Sequence, residues 1–218
     1  MDKDLTELVF IIDRSGSMGG LETDTIGGFN STIAKQREEP GRALVSTALF
    51  DDRYELLHDR VPLEHIHHMT DKQYYVRGST ALLDAMGRTI EDITGKRHAV
   101  PKEQRPGKTI FVVITDGLEN ASTRWTADQV RHLVEKKQSK GWEFLFLGAN
   151  MDAIAEAGKL GISSDRAVTY LCDADGTDIA YGAVACAMSS IRQSKTRVGG
   201  DWKGSVERDA RKRGGHAR

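Results

Sequence analysis

The chain has 218 residues, 39% hydrophobic and 29% charged, enough to bury a full core as one domain and too apolar for a disordered or collagenous protein. Its net charge of −1 hides an asymmetry: residues 195–218 carry +5, so the rest stands at −6, which excludes a body that binds polyanions indiscriminately. No apolar run approaches the ~20 residues needed to cross a bilayer, and the charged opening MDKDLTE leads straight into apolar sequence, so we expect a cytoplasmic protein with no signal peptide.

Residues 8–17, LVFIIDRSGS, begin with an unbroken β-branched and aromatic run and stop in a Ser/Gly turn, the pattern of a strand buried on both faces of a parallel sheet. Asp13, Ser15 and Ser17 then stand where the chain leaves the carboxyl end of that strand, the place where open α/β sheets hold ligands. Leu21, Ile26, Phe29 and Ile33 repeat at helical spacing over 21–36, and Gly27-Gly28 would let this helix lie close to the sheet. Residues 42–50 and 54–61, separated by a short turn at Asp51-Asp52, read as a hairpin, so the third strand is antiparallel and forms the sheet edge.

Residues 62–76 are polar and histidine-rich, consistent with a short helix and a loop. A Gly78-Ser79-Thr80 turn precedes a helix over 81–93 striped with Leu82, Leu83, Met86 and Ile90, and 95–108 reads as an exposed connector. TIFVVIT at 109–115 is a second all-apolar strand, and like the first it delivers an acid, Asp116, to the same edge of the sheet. Thr126 is the N-cap of a helix over 126–140. A strand at 142–147, a short helix at 152–160, a strand at 167–171 and an alanine-rich helix at 177–192 complete the folded part, 1–194.

Residues 195–218, with five glycines and many basic side chains, read as a flexible tail. It lacks interleaved aromatics apart from Trp202, so it reads as solubilising and not as a nucleic-acid arm. Cys172 and Cys186 are expected to be reduced and buried. Together the elements give an α/β protein: a doubly wound (Rossmann-like), mostly parallel six-stranded sheet with one antiparallel edge strand and helices on both faces.

At the carboxyl edge the candidate site residues are Asp13, Ser15, Ser17, Thr80 and Asp116. Hydroxyl and carboxylate oxygens with no nearby cysteine or imidazole suit magnesium, calcium or manganese, not zinc or copper. His65, His67 and His68, with His58 nearby, lack a cysteine or closely spaced acid to complete a set and read as a solvated loop away from the site. Asp84 reads as a helix residue facing Arg88 one turn on. Neither a phosphate-binding P-loop nor a G-x-S-x-G elbow is present, and Asp13 does not open the D-x-D spacing of an aspartyl-phosphate nucleophile, so a magnesium-dependent phosphoester hydrolase is the alternative reading and not the first.

D-R-S-G-S-M at 13–18, G-S-T-A-L-L-D at 78–84 and I-T-D-G at 114–117, in this order and at these element boundaries, resemble the von Willebrand factor A domain family from about Leu5 to the last helix. The resemblance implies a metal-ion-dependent adhesion site (MIDAS), in which Ser15, Ser17 and Thr80 give hydroxyls to a divalent ion and Asp13 and Asp116 hold coordinating waters or bind directly. It implies Mg2+, or Mn2+ or Ca2+, as cofactor, and a non-enzymatic module whose ion takes an Asp or Glu carboxylate from a protein partner. With G-G-F-N at 27–30 and F-L-G-A-N at 146–150, the chain looks most like small stand-alone bacterial or phage intracellular members, which implies partners such as an AAA+ ATPase or a stress-response assembly, with no membrane or nucleic acid involved. Met18-Gly19-Gly20 stands where integrin-like members carry acids for a further ion, so no adjacent cation is expected. Arg14, Met18, Glu119, Asn120 and Asn150 lie just beyond strand ends and are expected to ring the metal and select the partner.

Overall fold

The computed structural model describes residues 1–149, 151–193 and 200–214. Six strands, β1 (Asp2–Asp13), β2 (Arg42–Phe50), β3 (Tyr54–Pro62), β4 (Pro106–Thr115), β5 (Trp142–Ala149) and β6 (Ala167–Tyr170), form one sheet in the order β3-β2-β1-β4-β5-β6. All neighbours are parallel except β2 and β3, which pair antiparallel as the hairpin predicts.

Successive side chains of a strand point to opposite faces, and the two cores follow that parity. Leu8, Phe10 and Ile12 join α1 (Glu22–Glu38) and α5 (Ala174–Gln193) on one side. Val9 and Ile11 meet α2 (Leu82–His98), α3 (Ala127–Gln138) and α4 (Ala153–Lys159) on the other. A strand with a helix layer on each face has no solvent side, which is why β1, β4 and β5 read as continuous apolar runs.

Several boundaries differ from the sequence reading. The connector expected over 95–108 is largely absorbed, because α2 runs to His98 and β4 starts at Pro106, with a 3-10 turn at Lys102–Gln104 between them. Gly28 admits α5 and not the sheet: a Cβ there would lie 2.4 Å from the Tyr181 ring. The segment after β3 is the expected short helix, Leu63–His65, and loop, with His65, His67 and His68 exposed, but Leu63, Ile66, Met69 and Tyr74 between and beyond them are buried and Asn30 holds the loop by a pair of hydrogen bonds with the Met69 backbone.

The flexible tail is also corrected in part. Residues 200–203 form a 3-10 turn and α6 (Gly204–Lys212) follows. Val206 and Ala210, one turn apart on α6, are buried, and Trp202 donates its indole N–H to the Asp165 carbonyl at 2.9 Å. Residues 194–199 and 215–218 lie outside the described part. Neither cysteine is in a disulfide, but Cys186 is exposed and Cys172 half-buried, against the expectation of burial.

Candidate metal centre

With β2 on one side of β1 and β4 on the other, successive connections leave the sheet centre in opposite directions at the β1/β4 pair. Open α/β sheets have their crevice at that switch point. Asp13 ends β1, and Thr115 ends β4 with Asp116 just beyond it, so two carboxylates arrive there from neighbouring strands.

Three loops bring the oxygens together. The Ser15 and Ser17 hydroxyl oxygens are 2.9 Å apart, and the Thr80 hydroxyl donates to Ser15 Oγ at 3.0 Å. The second loop is tied to the first where Gly16 N–H donates to the Gly78 carbonyl at 3.1 Å, and Gly78 takes the left-handed φ of 64° that the turn requires. The third is tied to the second where the Asn120 and Ala121 amides both donate to the Thr80 carbonyl. Gly117 is obligatory here, because a Cβ would come within 2.7 Å of Thr80 Oγ1 and 2.9 Å of Ser17 Oγ.

Asp13 is fully buried. Its Oδ1 accepts from Ser15 N–H at 2.7 Å and its Oδ2 from the Thr115 hydroxyl at 2.6 Å, while Tyr74 donates its hydroxyl to the Asp13 carbonyl at 2.6 Å. Burial pushes the Asp13 carboxyl up to about 6, against these hydrogen bonds. Asp116 is also pushed up by burial, with the Ser17 hydroxyl opposing, and its Oδ1 is buried without a hydrogen-bond partner. Two desolvated carboxyls, one with an orphaned oxygen, together with three hydroxyls are a donor set that a cation would satisfy.

The residues fit a hard divalent ion. Ser15, Ser17, Thr80, Asp13 and Asp116 would hold it through hydroxyl and carboxylate oxygens, the donor set that hard cations take, with the Ser15 hydroxyl within 3.0 Å of both the Ser17 and Thr80 hydroxyls. Among the described residues no group of three or more His, Cys, Asp or Glu is arranged to hold an ion. The histidines go elsewhere: His58 lies on β3, stacked on Phe29 with Nδ1 3.0 Å from Thr47 Oγ1.

The expected ring is revised. Arg14 and Met18 are fully buried, Arg14 because Asp51 accepts from its Nε at 3.1 Å beneath the loop, Met18 because its 3-10 turn packs it into the core. Glu119 spends its carboxylate on the Leu83, Ala121 and Ser122 amides, and Asn120 accepts from Thr80 N–H while remaining exposed. Asn150 lies outside the described residues. Asp84 does not pair with Arg88; it accepts from the Thr123, Arg124 and Trp125 amides and so anchors the third loop to α2, while Arg88 lies over the Tyr54 ring. Tyr74, Thr115, Leu118 and Tyr75 were missed. Leu118 is 57% and Tyr75 44% exposed, two of the three large apolar side chains so exposed among the described residues.

Fold and site together define a doubly wound α/β domain with an oxygen-lined crevice at its switch point. The profile of the von Willebrand factor type A domain matches residues 7–180, and the chain belongs to that family. A search of curated proteins by sequence found no match. Among solved structures, the von Willebrand factor domain of the type V pilus tip protein Mfa5 from Porphyromonas gingivalis aligns over 88% of this chain and 98% of its own, at 10% identity and a TM-score of 0.64. Proximal thread matrix protein 1 from the mussel byssus, solved with zinc in its MIDAS motif, aligns over 84% of this chain at 14% identity and a TM-score of 0.57. Manganese-loaded TRAP protein of Plasmodium vivax aligns over 82% of this chain and 72% of its own, at 14% identity and 0.54. The chain spans just under half the length of the mussel protein, 46%. At such identities these likenesses speak for the fold.

Proposed function

We propose that the chain is a divalent-metal-dependent protein-binding module and not an enzyme, acting in the cytoplasm. The observation that carries this reading is the cluster of Ser15, Ser17 and Thr80 hydroxyls, linked through Ser15 at 2.9 and 3.0 Å, with the orphaned, buried oxygen of Asp116. Neutral hydroxyls in the direct positions, with Asp13 and Asp116 behind or among them, leave the bound ion its charge. Such an ion supplies a Lewis-acidic position for an Asp or Glu carboxylate of the partner. An all-oxygen set of hydroxyls and carboxylates suits Mg2+, with Mn2+ or Ca2+ as alternatives.

Around that position the protein supplies apolar contact. Leu118 and Tyr75 stand out on the third and second loops, and Asn120 is exposed beside Leu118. A partner that presents its carboxylate with apolar neighbours fits this surface, and the resemblance to stand-alone bacterial members makes an AAA+ ATPase or a stress-response assembly the first candidates. Among the described residues no helix is long and apolar enough to cross a membrane.

The test is affinity capture from lysate on the immobilised chain, with Mg2+ against EDTA, followed by mass spectrometry. We expect a protein retained only with Mg2+ and lost with Asp13→Ala and Thr80→Ala. Metal-dependent turnover of phosphoesters abolished by the same substitutions would replace the binding reading by the hydrolase one.

A further inference from the structure

At the amino edge of the sheet, far from the metal centre, β4 and β5 begin and α2 and α3 end. There a cavity of about 290 Å3 is lined by Arg97, His98, Lys102, Arg105, Lys137 and Lys140, over a floor that includes Trp142. No carboxylate lines it among the described residues. This is the reverse of the net −6 that the sequence outside 195–218 carries.

Cations in the last turn of a helix offset its dipole, which accounts for basic residues at the ends of α2 and α3 in general. It does not account for Lys137. That side chain is only 5% exposed, lies with its ammonium 4.9 Å from the centre of the Trp142 ring, and has no carboxylate or hydrogen-bond partner among the described residues. Burial, then Lys140, Lys136 and Arg97, push its ammonium down, with Glu91 opposing. Glu91 acts on it without pairing to it, and the acid nearest in influence to Arg97, Glu7, is already held by Arg60 at 2.7 Å. Both guanidiniums at the cavity are oriented in advance: Arg105 donates to the Val100 and His98 carbonyls at 3.0 and 3.3 Å, and Arg97 donates to Thr109 Oγ1 at 3.5 Å. The cavity therefore presents fixed donors and the unpaired ammonium of a largely buried lysine, the chemistry that recognises a multiply charged oxyanion.

We propose that this cavity is a binding site for a diphosphate group, free or carried by a nucleotide, with Lys137 as its buried counter-charge and Arg97, Arg105, Lys102 and Lys140 around it. The site is independent of the metal centre, and its test is run in EDTA so that pyrophosphate cannot act through a divalent ion. Thermal unfolding and titration calorimetry of the full chain are measured with pyrophosphate, ADP and AMP against sodium chloride at matched ionic strength. Pyrophosphate is expected to raise Tm saturably, by about 5 °C at a concentration near 100 times Kd. Lys137→Met, which keeps the apolar stem on Trp142, is expected to weaken binding at least tenfold, and so is the exposed pair Lys102→Gln with Lys140→Gln, which the fold does not need. Binding of ADP but not AMP assigns the group to a nucleotide, and binding of pyrophosphate alone assigns it to the free ion. A shift that matched sodium chloride reproduces, or one that survives both sets of substitutions, overturns the proposal.

Discussion

Asp51 lies between two arginines, accepting from Arg14 Nε at 3.1 Å and Arg77 Nε at 2.5 Å, and it also accepts from the Arg53 amide at 2.6 Å. Through Arg14 it fixes the loop that follows Asp13, and through its own carbonyl it accepts Ala81 N–H beside Thr80. Burial pushes the Asp51 carboxyl up, but the Arg77 hydrogen bond, the Arg53 amide and the Arg14 charge together hold it below the usual range. A carboxyl that titrates lower folded than unfolded adds stability above the unfolded value of ~3.9 and loses it as pH falls through the folded value. Asp51→Asn should therefore be less stable than wild type near neutrality, by about 3 kcal/mol for a buried charge stripped of its partner, and the gap should close below about pH 4. Urea unfolding at several pH values checks this; a gap that stays constant into strong acid would count against it. Tyr74→Phe removes only the hydroxyl that braces the Asp13 carbonyl, and titration with Mn2+ should show affinity reduced about tenfold with the fold intact. Asp13, Ser15, Ser17, Thr80 and Asp116 were legible because each follows an apolar run or a glycine turn. Tyr74 and Thr115 were not, because they meet Asp13 from 61 and 102 residues away, and nothing local marks such a meeting.

At the scale of elements, the legible part was whatever repeats. Alternating strands and helices, the hairpin and the Thr126 cap, which the structure completes as a capping box with Gln129, all follow from local pattern. Less legible were pairings between helices, since a glycine reports room without reporting what fills it. Gly28 is an example: its missing Cβ is what lets α1 meet Tyr181 of α5. Gly28→Val should cost about 2 kcal/mol through overpacking and lower Tm in calorimetry, whereas the same change at Gly27, where a Cβ would meet nothing within 4 Å, should cost less. The 200–214 segment escaped notice for a related reason. Its apolar positions, Trp202, Val206 and Ala210, are few, and their helical spacing matters only once β6 and α5 exist to receive them.

For the whole molecule, the final helix is thus part of the fold. Val206→Asp, which places a charge against the α1/α5 core, should lower Tm measurably while leaving the affinity for Mn2+ within twofold, because the metal loops lie at other elements. Equal losses of stability and metal affinity would show the two regions to be coupled. The same end of the sheet has a further consequence, and so does its opposite margin. Exposed strand margins invite other chains to add on and grow fibres. Here β6 is four residues long with Lys203 holding its first carbonyl at 3.4 Å, and β3 twice slips register against β2, with Arg60 at a φ of 51°. Neither border offers a flat, in-phase ladder, so neither is a ready template for another chain to add on as a strand.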